Sequence, residues 1–253
     1  MRKLKIAAAV LGLLGLVAMA PRAQAAGIAD TKHNLSTTGT GTIHVSGGTN
    51  PTTEICVFCH TPHGADTAVE APLWNRAVTT TGYTPYSSPS LDSIPGQPTG
   101  ASIACLSCHA GDIAFDALRN LPGSGGFSDS PSKDGTSAWT FVGTSDKKMP
   151  DGITKLGMDL SNDHPISMLY AAAKSPSSTS GVNDHDTGFK APSEAISSTG
   201  DTYFANGLKL SKGYVQCTSC HDPHRSAPLF LRHSDNNGNV GSQICLTCHK
   251  KDA

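Results

Sequence analysis

The segment Cys217-Thr218-Ser219-Cys220-His221-Asp222-Pro223-His224 decides how the whole chain is read. Its counterpart is Cys56-Val57-Phe58-Cys59-His60-Thr61-Pro62-His63. Two shorter copies, Cys105-Leu106-Ser107-Cys108-His109 and Cys245-Leu246-Thr247-Cys248-His249, stop at the fifth position. The four Cys-x-x-Cys-His motifs use all eight cysteines. This spacing is the attachment signature of haem c. Two thiols add across the porphyrin vinyl groups, and the following His is held under the iron. Cys56, Cys59, Cys105, Cys108, Cys217, Cys220, Cys245 and Cys248 are therefore read as covalent anchors for four haem c groups. His60, His109, His221 and His249 are read as proximal iron ligands. Zinc ribbons and disulfide frameworks do not need a His after every second Cys.

The motifs fall into two pairs. Residues 61–104 separate the first from the second, 110–216 the second from the third, and 222–244 the third from the fourth. Only the leading member of each pair continues to Pro-His. The expected organisation is a leader over 1–25 and one tetrahaem domain over 26–253, with haem pairs at 56–109 and 217–249 around the insertion 110–216.

Arg2, Lys3 and Lys5 precede an apolar run from Ile6 to Ala20, and Ala23-Gln24-Ala25 fits a small-residue cleavage site. That is the pattern of an export signal. Its removal takes four of the 19 basic residues and none of the 20 acidic ones, leaving 228 residues with net charge −5. Haem propionates make the surface more acidic still, which argues against nucleic acid or an anionic membrane as partner. No later stretch is apolar enough to span a bilayer. The expectation is a secreted protein, extracellular or on the outer cell surface, with the periplasm as the alternative.

The chain holds 26 Gly and 16 Pro, with only 6% aromatic residues. Such a composition builds a poor core by itself. With four haems it need supply only 57 residues for each apolar disc. The expected fold is mostly irregular coil with a few short α-helices, wrapped around a haem core. Helices are expected at Ser102 to His109 and Ser242 to His249, capped by the two serines. A turn or two is expected over Ile113 to Arg119, and a helix from Pro165 to Lys174 with Pro at its first position. Leu121 to Gly135 and Ser175 to Gly181 read as loops. No sustained strand alternation is visible, and at most one small hairpin is expected.

Eleven histidines less four proximal ones leave seven. Three methionines, Met149, Met158 and Met168, follow the leader. Bis-His ligation is expected, which gives lower potentials than Met ligation and leaves no open iron position. His63 lies three residues past His60, a path of at most ~11 Å, stiffened by Pro62. It cannot readily pass round its own porphyrin, so it would ligate a different haem. The same holds for His224. His164, in Asn162-Asp163-His164-Pro165, has polar neighbours able to orient its ring. His33, His63, His164 and His224 are the expected distal ligands, with His44, His185 and His233 as the surplus.

Cys-x-x-Cys-His-x-Pro-His, repeated with a simpler partner, together with Lys32-His33-Asn34-Leu35-Ser36 and Asn162-Asp163-His164-Pro165-Ile166, resembles the secreted multihaem cytochromes of metal-reducing bacteria. Within them the pattern looks like the tetrahaem outer-surface cytochrome E type. That resemblance implies head-to-tail polymerisation into extracellular filaments with a continuous haem chain. It further implies electron delivery through redox partners to external acceptors such as metal oxides. It implies too that a His from one copy can complete a haem of the next; by position His33 or His44 is the candidate. A soluble periplasmic shuttle is the alternative. A multihaem reductase of a small oxyanion is a third reading, which needs an open iron. No Cys-x-x-Cys-Lys occurs, and ligand supply exceeds demand. The expectation is an electron carrier rather than an enzyme.

Overall fold

Glycine and proline interrupt this chain too often for any element to run long, and tertiary contacts are made mainly by turns. The computed structural model describes residues 27–89, 91, 95–123, 125–170, 189–190, 194–195, 201–204, 206–233 and 239–250. The leader over 1–25, the loop 175–181 and His185 lie outside them. Three α-helices are present among the described residues: α1 (Gly100–His109), α2 (Cys217–Cys220) and α3 (Cys245–Cys248). Each contains a Cys-x-x-Cys step. The seven described strands are short: β1 (His44–Gly48), β2 (Trp139–Val142), β3 (Met168–Leu169), β4 (Glu194–Ala195), β5 (Thr202–Tyr203), β6 (Lys209–Leu210) and β7 (Tyr214–Val215). Few helices, small sheets and much coil match the expected irregular wrap.

β1 and β2 pair antiparallel, with Val45 opposite Phe141 and Gly48 opposite Trp139. A bulge between Val45 and Gly47 shifts the register. Gly48 has φ of 104°, and a Cβ there would lie 2.1 Å from the Ala138 carbonyl oxygen, so no other residue fits. Trp139 and Phe141 point inward onto Val45, Val57, Phe58, Phe115, Leu118 and Met149. Cys59 and Cys108 pack against this cluster. A separate cluster of Tyr170, Phe204, Leu208 and Leu210 receives Cys220 and Cys248. Each motif pair thus has its own small apolar base.

Three local expectations are corrected. Residues 165–170 are not helical: Ser167 has φ of 57°, and its N–H bonds the Val215 carbonyl. The segment instead pairs β3 with β7, while 171–174 lie outside the described residues. Ser102 sits inside α1, which starts at Gly100 after Thr99, and its hydroxyl bonds Gln216 at 2.5 Å. Ser242 has φ of 57° and caps nothing. The turn expected over 113–119 is present, with a single bridge, Arg76 to Leu118.

Candidate haem-binding site

The site begins with how three of the four motif histidines are aimed. His60 Nδ1–H donates to the Pro72 carbonyl at 2.6 Å. His109 donates likewise to Thr154 at 2.6 Å, and His221 to Leu229 at 2.8 Å. A backbone acceptor on Nδ1 fixes the tautomer and leaves Nε2 with its lone pair for a metal. Apolar side chains beside these acceptors face outward: Leu73 is 53% exposed, Ile153 98% and Leu229 74%. Exposed aliphatic groups next to aimed imidazoles suit an apolar disc laid over them.

Opposite three of the motif histidines stands a second imidazole. The ring centres of His60 and His224 are 6.1 Å apart and nearly parallel, at 17°. Those of His109 and His33 are 6.3 Å apart, and those of His249 and His164 are 6.5 Å apart. A metal–imidazole nitrogen distance of about 2.0 Å puts two rings that share one ion about 6 Å apart, centre to centre. The donor set therefore fits an axially bis-His-ligated iron at three positions. Burial, with His109 adjacent, holds the His33 imidazole down to about 4, so the ring is neutral and can act as a ligand. His164 Nδ1 is satisfied by the Pro165 carbonyl at 2.9 Å, again leaving Nε2.

The other histidines are not so placed. Among the described residues no imidazole faces His221 at this spacing, and His63 is exposed with none facing it. His44 opens β1 with Nδ1 on the Gly41 carbonyl at 2.8 Å. His233 Nε2 is engaged by Gln243 Oε1 at 2.5 Å, so the nitrogen that would reach iron is already bonded. Met149 and Met168 are buried in packing clusters or strands, and Met158 packs on Tyr83 and Leu160.

The anchoring sulfurs form a connected run. Cys108 lies beside Cys59, the Cys105 and Cys217 thiols share a hydrogen bond, and Cys248 lies beside Cys220. Burial pushes the Cys59 thiol up to about 12 and those of Cys220 and Cys248 to about 11. Thioether formation would remove that titration altogether. None of the cysteines is in a disulfide. Among the described residues no three His, Cys, Asp or Glu side chains converge as a bare metal ion requires, which is unlike a zinc ribbon.

Unforeseen residues hold the motifs against one another. Asn75 Nδ2 donates to the Val57 carbonyl at 2.7 Å, and its N–H donates to Cys59 at 2.9 Å. Arg76 donates to Ser107 Oγ at 3.1 Å and to the Ser107 carbonyl at 3.2 Å. This dipeptide ties the first motif to the second. Ser102 Oγ accepts the Cys217 N–H at 3.0 Å and donates to Gln216, tying the second to the third. In the last pair Arg232 N–H bonds Cys220 at 2.8 Å and its Nε bonds Thr218 at 2.6 Å. A repeat of Ala-Pro-Leu-aromatic, Ala71 to Trp74 and Ala227 to Phe230, was the available signal for these return segments.

A family model described as the doubled CXXCH motif matches residues 210–253. No curated protein matches the chain. The match spans the third and fourth motifs and indicates a multihaem c-type cytochrome with covalently bound haem c.

Proposed function

We propose that this multihaem cytochrome carries four covalently attached haem c groups and conducts electrons along a filament of its own copies, outside the cell, toward external acceptors such as metal oxides. The three imidazole pairs carry the reading. Closed axial positions suit electron transfer, because substrate chemistry at iron needs a vacant site. Bound haem iron supplies a one-electron couple. The chain's residues would hold it: backbone carbonyls orient the His60, His109 and His221 rings, and the motif cysteines would attach it.

His33, His164 and His224 are assigned as distal ligands to the irons at His109, His249 and His60. That removes His33 from the two candidates for a ligand between copies. His63 takes the role in place of His44. It is the positional equivalent of His224, which meets the motif histidine of another haem. Among the described residues His63 meets no imidazole, and none faces His221. A bond from His63 to the iron at His221 of a second copy satisfies both. Such a head-to-tail contact does not close on itself and makes a fibre. His44 and His233 stay outside this ligand set, and His185 lies outside the described residues.

Intact mass should show four haems on the exported chain. Electron microscopy of secreted material should show thin filaments containing it, with ferric spectra that are wholly low-spin. Elution only as a monomer under all conditions would refute the filament. A high-spin ferric signal in assembled material that shifts with nitrite would refute the carrier role in favour of a reductase.

A further inference from the structure

We propose that Arg76 is a fixed interior positive charge that raises the reduction potentials of the haems anchored at Cys56–His60 and Cys105–His109 above those of the other two. The inference rests on the haem reading above.

Arg76 is 0% exposed. Its guanidinium donates to Ser107 Oγ at 3.1 Å, and to the carbonyls of Phe115 at 2.6 Å, Ser107 at 3.2 Å and Ala114 at 2.8 Å. These acceptors are neutral. They satisfy its hydrogen bonds without cancelling its charge. Among the described residues it makes no ion pair. The buried carboxylate of Asp116, next in sequence to the acceptor Phe115, is matched by Lys147 at 2.8 Å. A buried charge without a counter-ion is costly and rarely kept without a use.

Its position points to the use. Ser107 lies between Cys105 and Cys108 in α1, so the guanidinium sits against the second motif. The adjacent Asn75 is bonded to Val57 and Cys59 of the first loop. In the second pair the corresponding cation is neutralised, Arg232 meeting Asp222 at 3.3 Å, and the partly buried Lys209 meets Asp201 at 2.7 Å. One electron added to iron lowers the local charge by one, with no proton and no bond change. A nearby cation in a low-dielectric interior favours that reduced state. Arg76 is thus a positioning residue for the attachment loops and also sets a potential step between the two halves of the haem row.

The test uses full-length mature holoprotein, with haem content first checked by intact mass. Electrodes supply the electrons, and absorption follows reduction. In Arg76→Gln, the reduced-to-oxidised ratio of two haems at fixed potential should fall about tenfold, equal to about 59 mV for a one-electron couple. Arg76→Lys, which keeps the charge, should restore it. Four haems with unmoved potentials in Arg76→Gln would overturn the proposal, as would equal shifts in both variants. The wild type gives a measurement independent of variant folding. Resonance-assigned potentials of the haems on His60 and His109 should exceed those on His221 and His249, and the reverse order would overturn the proposal. Absence of haem from the wild type would instead strike the haem reading.

Discussion

Residues 56–76 and 217–233 build one clamp twice, with different side chains. In both, a motif His donates its Nδ1–H to the carbonyl of a returning segment, twelve residues on at Pro72 or eight residues on at Leu229. Both then bridge back, His60 to Trp74 and His221 to Leu231. Both close with a side chain on the carbonyl of the first residue after the leading Cys, Val57 or Thr218. The difference is a one-residue slip against the shared Ala-Pro-Leu-aromatic sequence. In the first clamp only Leu73 of the return segment takes a positive φ, 54°. In the second both Leu229 and Phe230 do, at 53° and 58°. The slip puts Arg232 in the closing position, beside Asp222. Without it Asn75 closes the clamp, and Arg76 is turned into the interior. Equal geometry thus comes with unequal electrostatics.

The largest expected difference between the clamps concerns assembly. His63→Ala should abolish filaments while leaving the spectrum of the dispersed monomer unchanged. His224→Ala should leave the interface in place but alter the iron at His60. Light scattering with absorption spectra separates the two, and equal behaviour of the variants would break the comparison.

Next is stability. Asn75→Ala strips the Val57 and Asn120 carbonyls of a donor and the Asn120 N–H of an acceptor, all around a fully buried side chain. The expected cost is about 3 kcal/mol, from the penalty of unsatisfied buried groups. Arg232→Ala acts on a partly exposed side chain, where water can replace the donor, and should cost about 1 kcal/mol. Denaturant midpoints of the holoproteins check the order.

Ser102→Ala cuts the tie between the second and third motifs, two bonds to Gln216 and Cys217, and should cost about 1–2 kcal/mol in the same assay. The smallest effect belongs to Lys212→Ala. Its ion pair with Glu70 at 2.7 Å joins the two halves but is solvent-exposed on both sides. Less than about 0.5 kcal/mol should be lost, and less at high salt.

The attachment points were legible because covalent chemistry dictates Cys, Cys and His at fixed spacing. The irregular fold was legible from Gly and Pro content. Chain length alone kept His224 away from its own motif, and the structure sets its ring beside that of His60. What was not legible has a common cause. The latches are backbone carbonyls of Pro72, Thr154 and Leu229, which have no side-chain signature. The helix expected at Pro165 was lost to pairing with Tyr214–Val215, a contact 49 residues away in sequence at Ser167–Gln216. Arg76 reads in sequence as an ordinary surface cation. Only the fold shows that carbonyls of 107, 114 and 115 converge on it.

The most direct test is the ferric electron paramagnetic resonance spectrum of His224→Ala in dispersed holoprotein, compared with wild type. Loss of one axial imidazole from the iron at His60 predicts one additional high-spin centre per chain, with the haem count unchanged. An unaltered spin count at full haem loading would contradict the pairing of the two clamps.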